Sequence, residues 1–589
     1  MKKRTVLFVC IWLLFLAGVG YGVNSLTSTT SRLMIAGENV VALNRTAVSA
    51  KISNPAKHPY LYFKFTEAQR ARLSTLCKSS DGGCIQITVL PKHVNDDGRE
   101  VPFIFGLLYK NDFKSAALLK DEIEKRPLVR GDLSKINKTG FSVSQSISKN
   151  GEVPQGFFVY CMAQCSVKNA QIKQAQIGWS RENEFPLFCF TDNGGTINGS
   201  FASVDLTQMY SVFSDENTAS TILPKITIGL FESSQNGPWD EQVRVKLNIF
   251  GEDISIRRTA KQKDVIIQLS SLVNQTGTVE LKENSAMVSS FIVSANQADL
   301  VPVAKNGGAT VTPFVTDPGL IFGWPVQHWR NKEYELYSWA QFPQVLFFDT
   351  ANYKIQDRFF TRLAYFVEKD GYKGTFVSDS FIETNHGYNA HDYRDKDLAE
   401  FFTAAAKTGF TLNEYELLLK NILLKNKIII ERAKNTYEPG SGAVISISQE
   451  SPGYLRNTFI AHESWHGIYF TDADFRNTVE KIYLSFDSGS MEFIKTFWAT
   501  QPGLHYDLND DYLMKNEFMA YLMQQSLVRC KDYFLQVAGR GSVNQIEPEL
   551  AAYVRGTEAK PFVDATAALN EYAYNKWGLA AGRVSLVNR

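Results

Sequence analysis

Alternation of apolar and polar positions with a period of two dominates residues 25 to about 306. Val243-Arg-Val-Lys-Leu-Asn-Ile249 puts four aliphatic side chains on one face and three polar ones on the other, as a half-buried antiparallel strand requires. Gly251-Glu-Asp253 then turns the chain into Ile254-Ser-Ile256-Arg257, a hairpin signal. Similar runs at 61–65, 84–90, 103–109, 156–162, 225–231 and 265–269 are separated by Gly, Asn and Asp. Strands at this spacing predict two or three β-sandwich-like modules, with boundaries near Asn150 and Thr259.

The period changes after Gly307-Gly308. Gln344-Val-Leu-Phe-Phe348 reads as a buried strand, and Ile355, Phe359, Leu363 and Phe366 follow at helical spacing until Gly371 stops the helix. Thr375-Phe-Val377 supplies a second strand, completing a strand–helix–strand unit. Helices are expected at 395–407 and at 413–425, the latter capped by Asn413, and Ala443-Val-Ile-Ser-Ile-Ser448 is a further strand. Ser451-Pro452 opens the next helix, with serine as cap and proline at the first position. In it Leu455, Phe459, His462 and His466 recur at steps of four, three and four, so both imidazoles join one inward stripe. Residues 510–527 also have helical composition. The domain division that results is 1–24, 25–150, 151–310 and 311–589.

A chain of 589 residues with 44% hydrophobic content exceeds what one core can organise. Its 62 basic residues against 61 acidic ones leave no excess to neutralise a nucleic-acid backbone or an anionic membrane surface. Met1-Lys2-Lys3-Arg4 followed by an uncharged apolar run to Val23 reads as a signal peptide or an N-terminal anchor. Export to the periplasm or the exterior is therefore expected, with membrane contact only through an uncleaved anchor. Six cysteines remain beyond Cys10, and disulfides are the default for an oxidising compartment. Cys161-Met-Ala-Gln-Cys165 lacks a matching pair or a nearby histidine, which favours a structural disulfide or buried thiols over a metal knuckle. Asn44, Asn137, Asn198 and Asn274 head glycosylation patterns, relevant only in a eukaryotic secretory pathway; the short lysine-rich start looks bacterial.

His462-Glu463-Ser464-Trp465-His466 is an H-E-x-x-H segment. Residues four apart on a helix stand one turn above each other, so both rings reach one ion, while Glu463 takes a proton from water on that ion without being a ligand. Tetrahedral zinc needs a third protein ligand, and Glu517 in Asn516-Glu517-Phe518-Met519-Ala520 supplies it from a later helix. With this pair of motifs the chain resembles the gluzincin zinc metallopeptidases, whose third ligand is a glutamate in an Asn-Glu-x-x-Ala motif. The resemblance covers residues 451–470 and 516–520, and by extension a domain from about Val311 onward.

That resemblance implies an α+β zincin-like metallopeptidase domain and says nothing of the first half; the strand pattern there makes the chain multidomain, with β-rich sandwich-like N-terminal modules ahead of that domain. The resemblance implies one Zn2+ per chain and a protein or peptide substrate, and the charge balance argues against nucleic acid. Ala443 to Ser448 is then placed as the edge strand along which an extended peptide adds. Some family members stabilise the tetrahedral intermediate with a histidine after the glutamate ligand, but the last histidine here is His505. Tyr506, Tyr553 and Arg555 are the candidate substitutes. The Gly-x-Met-Glu-Asn segment of aminopeptidase members is absent, which favours endopeptidase action. A polar and aromatic stretch, Asn385 to Arg394, either lines the cleft or forms a rigid connection in which Asp392 caps the next helix. The alternative from another class is an exported β-sandwich binding or adhesion protein with a catalytically inactive zincin-like domain.

Overall fold

The computed structural model describes residues 312–501 and 503–589. Before them it describes 40–41, 50–57, 59–78, 83–92, 101–113, 129–132, 141–147, 152–174, 177–180, 187–190, 196–199, 203–207, 222–231, 244–257, 264–297, 300–302 and 308–310. The apolar N-terminal run, Cys10 and the side chains of Cys84, Cys189, Asn44, Asn137 and Asn198 lie outside the described residues. Among the described residues no helix is long and apolar enough to cross a membrane. The chain divides into two compact units, one of Met1–Ile228, Leu247–Gly251 and Asn274–Gln297, the other of Gly229–Lys246, Glu252–Val273 and Ala298–Arg589.

The first unit is β-sheet-rich. Tyr60–Lys64, Gly156–Cys161, Pro102–Leu108 and Val129–Asp132 lie side by side in one sheet, and Cys165–Gln174, Gly83–Pro91, Phe141–Ile147 and Leu187–Phe190 in another. The period-two pattern sends Phe63, Phe103, Phe105 and Phe157 into the same buried cluster as Ile85, Val89 and Ile172, so both sheets share one core. Phe63 and Phe157 stack with centroids 4.4 Å apart. A module boundary near Asn150 is not what forms, because both sheets join strands from either side of it. The boundaries expected near 259 and 310 also shift, since Glu252–Val273 and everything from Ala298 belong to the second unit. A helix at Glu67–Lys78 was not anticipated; only Leu73 and Cys77 are buried on it, too thin a stripe to read as helical. Cys161 and Cys165, like Cys530, are buried free thiols rather than disulfides. Cys161 closes a strand of the first sheet while Cys165 opens one of the second.

The second unit is built on a five-stranded mixed sheet of β1 (Phe314–Thr316), β2 (Tyr334–Trp339), β3 (Phe342–Thr350), β4 (His391–Arg394) and β5 (Ala443–Ser448), in spatial order β1-β2-β3-β5-β4. β1 runs parallel to β2 and β3 to β5, whereas β2 with β3 and β5 with β4 are antiparallel. The expected strand at 375–377 is irregular chain, and the partner of β3 is instead the preceding β2. β2 escaped the sequence pattern because it is buried along its whole length yet carries Glu335, whose carboxylate is held 2.7 Å from Arg330. β5 is likewise wholly buried and interior, so the edge expected of it falls to β4.

Helix α1 (Tyr353–Val367) starts where the Asn352 side chain accepts from the Ile355 amide. α2 (Asp395–Thr408) and α3 (Glu414–Lys425) follow, the latter opened by the expected Asn413 cap, which forms a capping box with Glu416. The helix expected after Ser451 is α4 (Gly453–Thr471), but Pro452 occupies its cap position and Ser451 instead bonds the Tyr353 hydroxyl at 2.7 Å. Arg456 anchors α4 to the sheet through two bonds of 2.8 and 2.9 Å to the buried Asp349 of β3. Gly467, directly after the second histidine, lets α4 lie close against β3 and β5. A Cβ there would stand 2.9 Å from Val345 Cγ1 and 3.2 Å from Ile445 Cδ1. Gly467→Ala is accordingly expected to lower the thermal midpoint, because overpacking of about 1–3 kcal/mol outweighs the gain in helix propensity of up to about 1 kcal/mol. An unchanged or raised midpoint would show that the sheet yields freely. α5 (Asp511–Met523) packs beside α4, capped by Asp510.

Candidate metal centre

The step of four in α4 puts His462 and His466 one above the other, with ring centroids 4.7 Å apart. α5 brings Glu517 between them: His462 Nε2 lies 3.7 Å from Oε2 and His466 Nε2 3.7 Å from Oε1. Donors bound at 2.0–2.2 Å to one tetrahedral ion stand about 3.3–3.6 Å apart, so this spacing needs adjustment by only a few tenths of an ångström. His466 Nε2 and Glu517 Oε2 are buried without a hydrogen-bond partner, the condition of donor atoms that face an ion. His462 Nδ1 is 3.1 Å from Gln524 Oε1, which assigns the proton to Nδ1 and leaves the Nε2 lone pair toward Glu517. The three residues thus fit a zinc ion in geometry and in donor type.

On its other side His466 faces a carboxylate, with Nδ1 3.8 Å from Asp392 Oδ2. Asp392 is hydrogen bonded to Glu463, and Asn516 lies beside it. Burial raises the Glu463 carboxyl well above its ordinary value, and the neighbouring Asp392 adds to the effect. Burial likewise brings Asp392 up to about 6, and brings the His466 ring down to about 4. A divalent ion acts against these shifts on the carboxylates, by favouring negative charge beside it. Asp392, Glu463 and His466 also form a possible ligand group. Its single imidazole and its mutually bonded carboxyls suit zinc less well than the first set.

His462, Glu463 and Glu517 open onto a cavity of about 380 Å³. The stretch expected either to line a cleft or to make a rigid connection does both: His386, Tyr388, Asn389 and Asp392 line the cavity, while His386 is held by Asp357 and Asn389. Asp392 does not cap α2, where Arg394 occupies the cap position; it sits on β4 facing α4. Of the three candidates for the oxyanion, Tyr506 lines the cavity. Tyr553 is exposed and bonds Asp487, and Arg555 bonds Ala538 O and Asn544, so neither reaches it. Sequence reading passed over Gln524 and Glu368, which also line the cavity. Gln524 was accessible as the continuation of the stripe Glu517, Tyr521 at helical steps of four and three.

His386 Nδ1 stands 2.7 Å from Asp357 Oδ1, and Nε2 3.0 Å from Asn389 Oδ1. The hydrogen bond with Asp357 raises its pKa above the ordinary 6.5. Burial pushes Asp357 up, but the bonds from His386 and Thr361 outweigh it and hold the carboxyl below 3.8. The histidine's contribution to holding the cavity wall is complete below pH 6.5 and is lost as pH rises through its raised pKa; the aspartate's is complete above 3.8 and is lost below that. In an NMR titration the His386 ring is expected to titrate above 6.5, and Asp357→Asn to lower that midpoint. A parent midpoint at or below 6.5 would contradict the pairing.

No protein-family model and no curated protein matches the chain. Among solved structures it is similar to the N-terminal CBM22-1-CBM22-2 tandem domain of Paenibacillus barcinonensis Xyn10C, at 10% identity and a TM-score of 0.10, over 40% of this chain and 74% of that one. It is also similar to a T=1 Penaeus vannamei nodavirus structure, at 9% identity and a TM-score of 0.10, over 36% of this chain and 79% of that one.

Proposed function

We propose that the chain is an exported zinc metallopeptidase of the gluzincin type, hydrolysing peptide bonds and acting more as an endopeptidase than as an aminopeptidase. The observation that carries this reading is the convergence of His462 Nε2, His466 Nε2 and the Glu517 carboxylate within 4.8 Å, beside the non-ligand carboxylate of Glu463. Zinc held by these three residues supplies Lewis acidity, which polarises a carbonyl and brings the pKa of a bound water to about 7.

The chain's own groups do the rest. Glu463 takes the proton from the attacking water and delivers it to the leaving amine, which is general base and then general acid work by one residue. Asp392, bonded to Glu463, keeps that carboxyl aimed at the cavity. Tyr506 offers its hydroxyl to the oxygen on which charge develops, in the place some gluzincins give to a histidine. β4, at the edge of the sheet, offers main-chain groups to an extended substrate. Export rests on the basic and apolar N-terminal residues.

The test is cleavage of a quenched peptide library by the purified chain. Hydrolysis is expected to stop with a chelator and return with zinc. Stoichiometric zinc with no hydrolysis of any peptide would favour the alternative, a β-rich binding protein with an inactive metal domain.

A further inference from the structure

Four carboxylates line the cavity, Glu368, Asp392, Glu463 and Glu517, and among the described residues no lysine or arginine does. Glu517 faces the two imidazoles, and Asp392 and Glu463 bond each other. The Glu368 side chain has no hydrogen-bond or ion-pair partner among the described residues, and burial, followed by the neighbouring acids Asp392 and Glu517, pushes its carboxyl well above the ordinary value, so that it charges most readily beside a cation. It also stands at the C-terminal cap of α1, the end of a helix that disfavours negative charge.

The adjacent base, Lys369, favours charge on Glu368 from a distance but makes no ion pair with it. Lys369 pairs in the backbone with Tyr506, and its ammonium is tied to Gly503 O at 2.9 Å and Leu504 O at 3.2 Å, over the Tyr388 ring. A carboxylate kept in an acidic, partly enclosed cavity with its own lysine engaged elsewhere is complementary to a cation that arrives with the ligand. Three other polar atoms of cavity residues, Glu463 Oε2, Glu517 Oε2 and Gln524 Nε2, are buried and unpartnered, which marks this space as built to receive polar groups.

We infer that Glu368 binds a cationic group of the substrate, an ammonium or guanidinium next to the scissile bond, and so selects peptides that carry positive charge there. This rests on the peptidase reading of the cavity. For an endopeptidase that cation is a lysine or arginine side chain; the α-amine of a peptide's first residue is the competing source.

Two pairs of fluorogenic peptides separate them, free against acetylated at the N-terminus, and lysine against norleucine beside the cleaved bond, assayed on the zinc-loaded full chain. One pair is expected to differ in kcat/KM by about thirtyfold or more in favour of the charged member, the scale of losing one partner of a partly buried charge pair. Glu368→Gln is expected to reduce that ratio to about threefold or less, Glu368→Asp to restore part of it, and Glu368→Lys to reverse it. Equal ratios in the parent and Glu368→Gln, or no preference in either pair, would overturn the assignment. If no peptide is cut, the hydrolytic reading fails on its own. Calorimetric binding of the same pairs to zinc-loaded Glu463→Gln protein, with and without Glu368→Gln, then decides about Glu368: equal affinity for charged and neutral members overturns the cation site.

Discussion

Glu463→Gln is expected to retain zinc and lose turnover by on the order of a thousandfold or more. Glutamine keeps the shape of the side chain and its place on α4, one residue from His462, but it cannot accept a proton. Because Glu463 is not among the three donors that face each other, metal content is expected to match the parent. The loss should lie in kcat, since proton transfer belongs to the transition state and not to ground-state binding. Single-turnover hydrolysis and elemental analysis on the same preparation check both halves. A variant that cuts as fast as the parent would remove the general base from the mechanism. One that loses zinc would move Glu463 into the ligand set.

Glu517→Ala should behave in the opposite order, losing metal first and activity as a consequence. The substitution deletes the one carboxylate among the described residues that faces both Nε2 atoms and leaves two imidazoles on one helix as the whole donor set. A residue that hydrogen bonds a ligating imidazole, as Gln524 does with His462, typically changes metal affinity by roughly 10–100-fold. Removing a first ligand should exceed that, by on the order of a thousandfold in zinc affinity. Titration against a chromophoric chelator measures it, and unchanged affinity would place the third ligand elsewhere. The buried cluster of Asp392, Glu463 and His466 would then be the next set to examine.

Much of the candidate metal centre was legible because its information is local. The interval of four between His462 and His466 is a property of one helix, and the Asn516-Glu517 segment reads as helical from its composition alone. The place of Glu368, and the approach of Asp392 to His466 and Glu463, could not be found this way. Each acts only across a tertiary contact, from the edge strand and from the end of α1, and nothing in their neighbours encodes which element they face. Strand order failed for the same reason. Ala443–Ser448 reads correctly as a strand, but that it is interior and wholly buried depends on β4, a four-residue strand within a polar stretch that has no apolar run of its own. In the first unit alternation gave the strands closely, yet whether strands on either side of residue 150 share sheets is a long-range matter that alternation does not carry.

Everything proposed for this chain depends on one ion held by two imidazoles from α4 and a carboxylate from α5. X-ray absorption at the zinc edge, on full-length protein loaded with one equivalent, reads that environment directly. The expected spectrum shows two imidazole nitrogens at about 2.0–2.1 Å and oxygen at about 2.0–2.2 Å, with no sulfur in the shell. A sulfur shell near 2.3 Å, as the free thiols of Cys161 and Cys165 would give, or failure to retain the metal through dialysis, would contradict it.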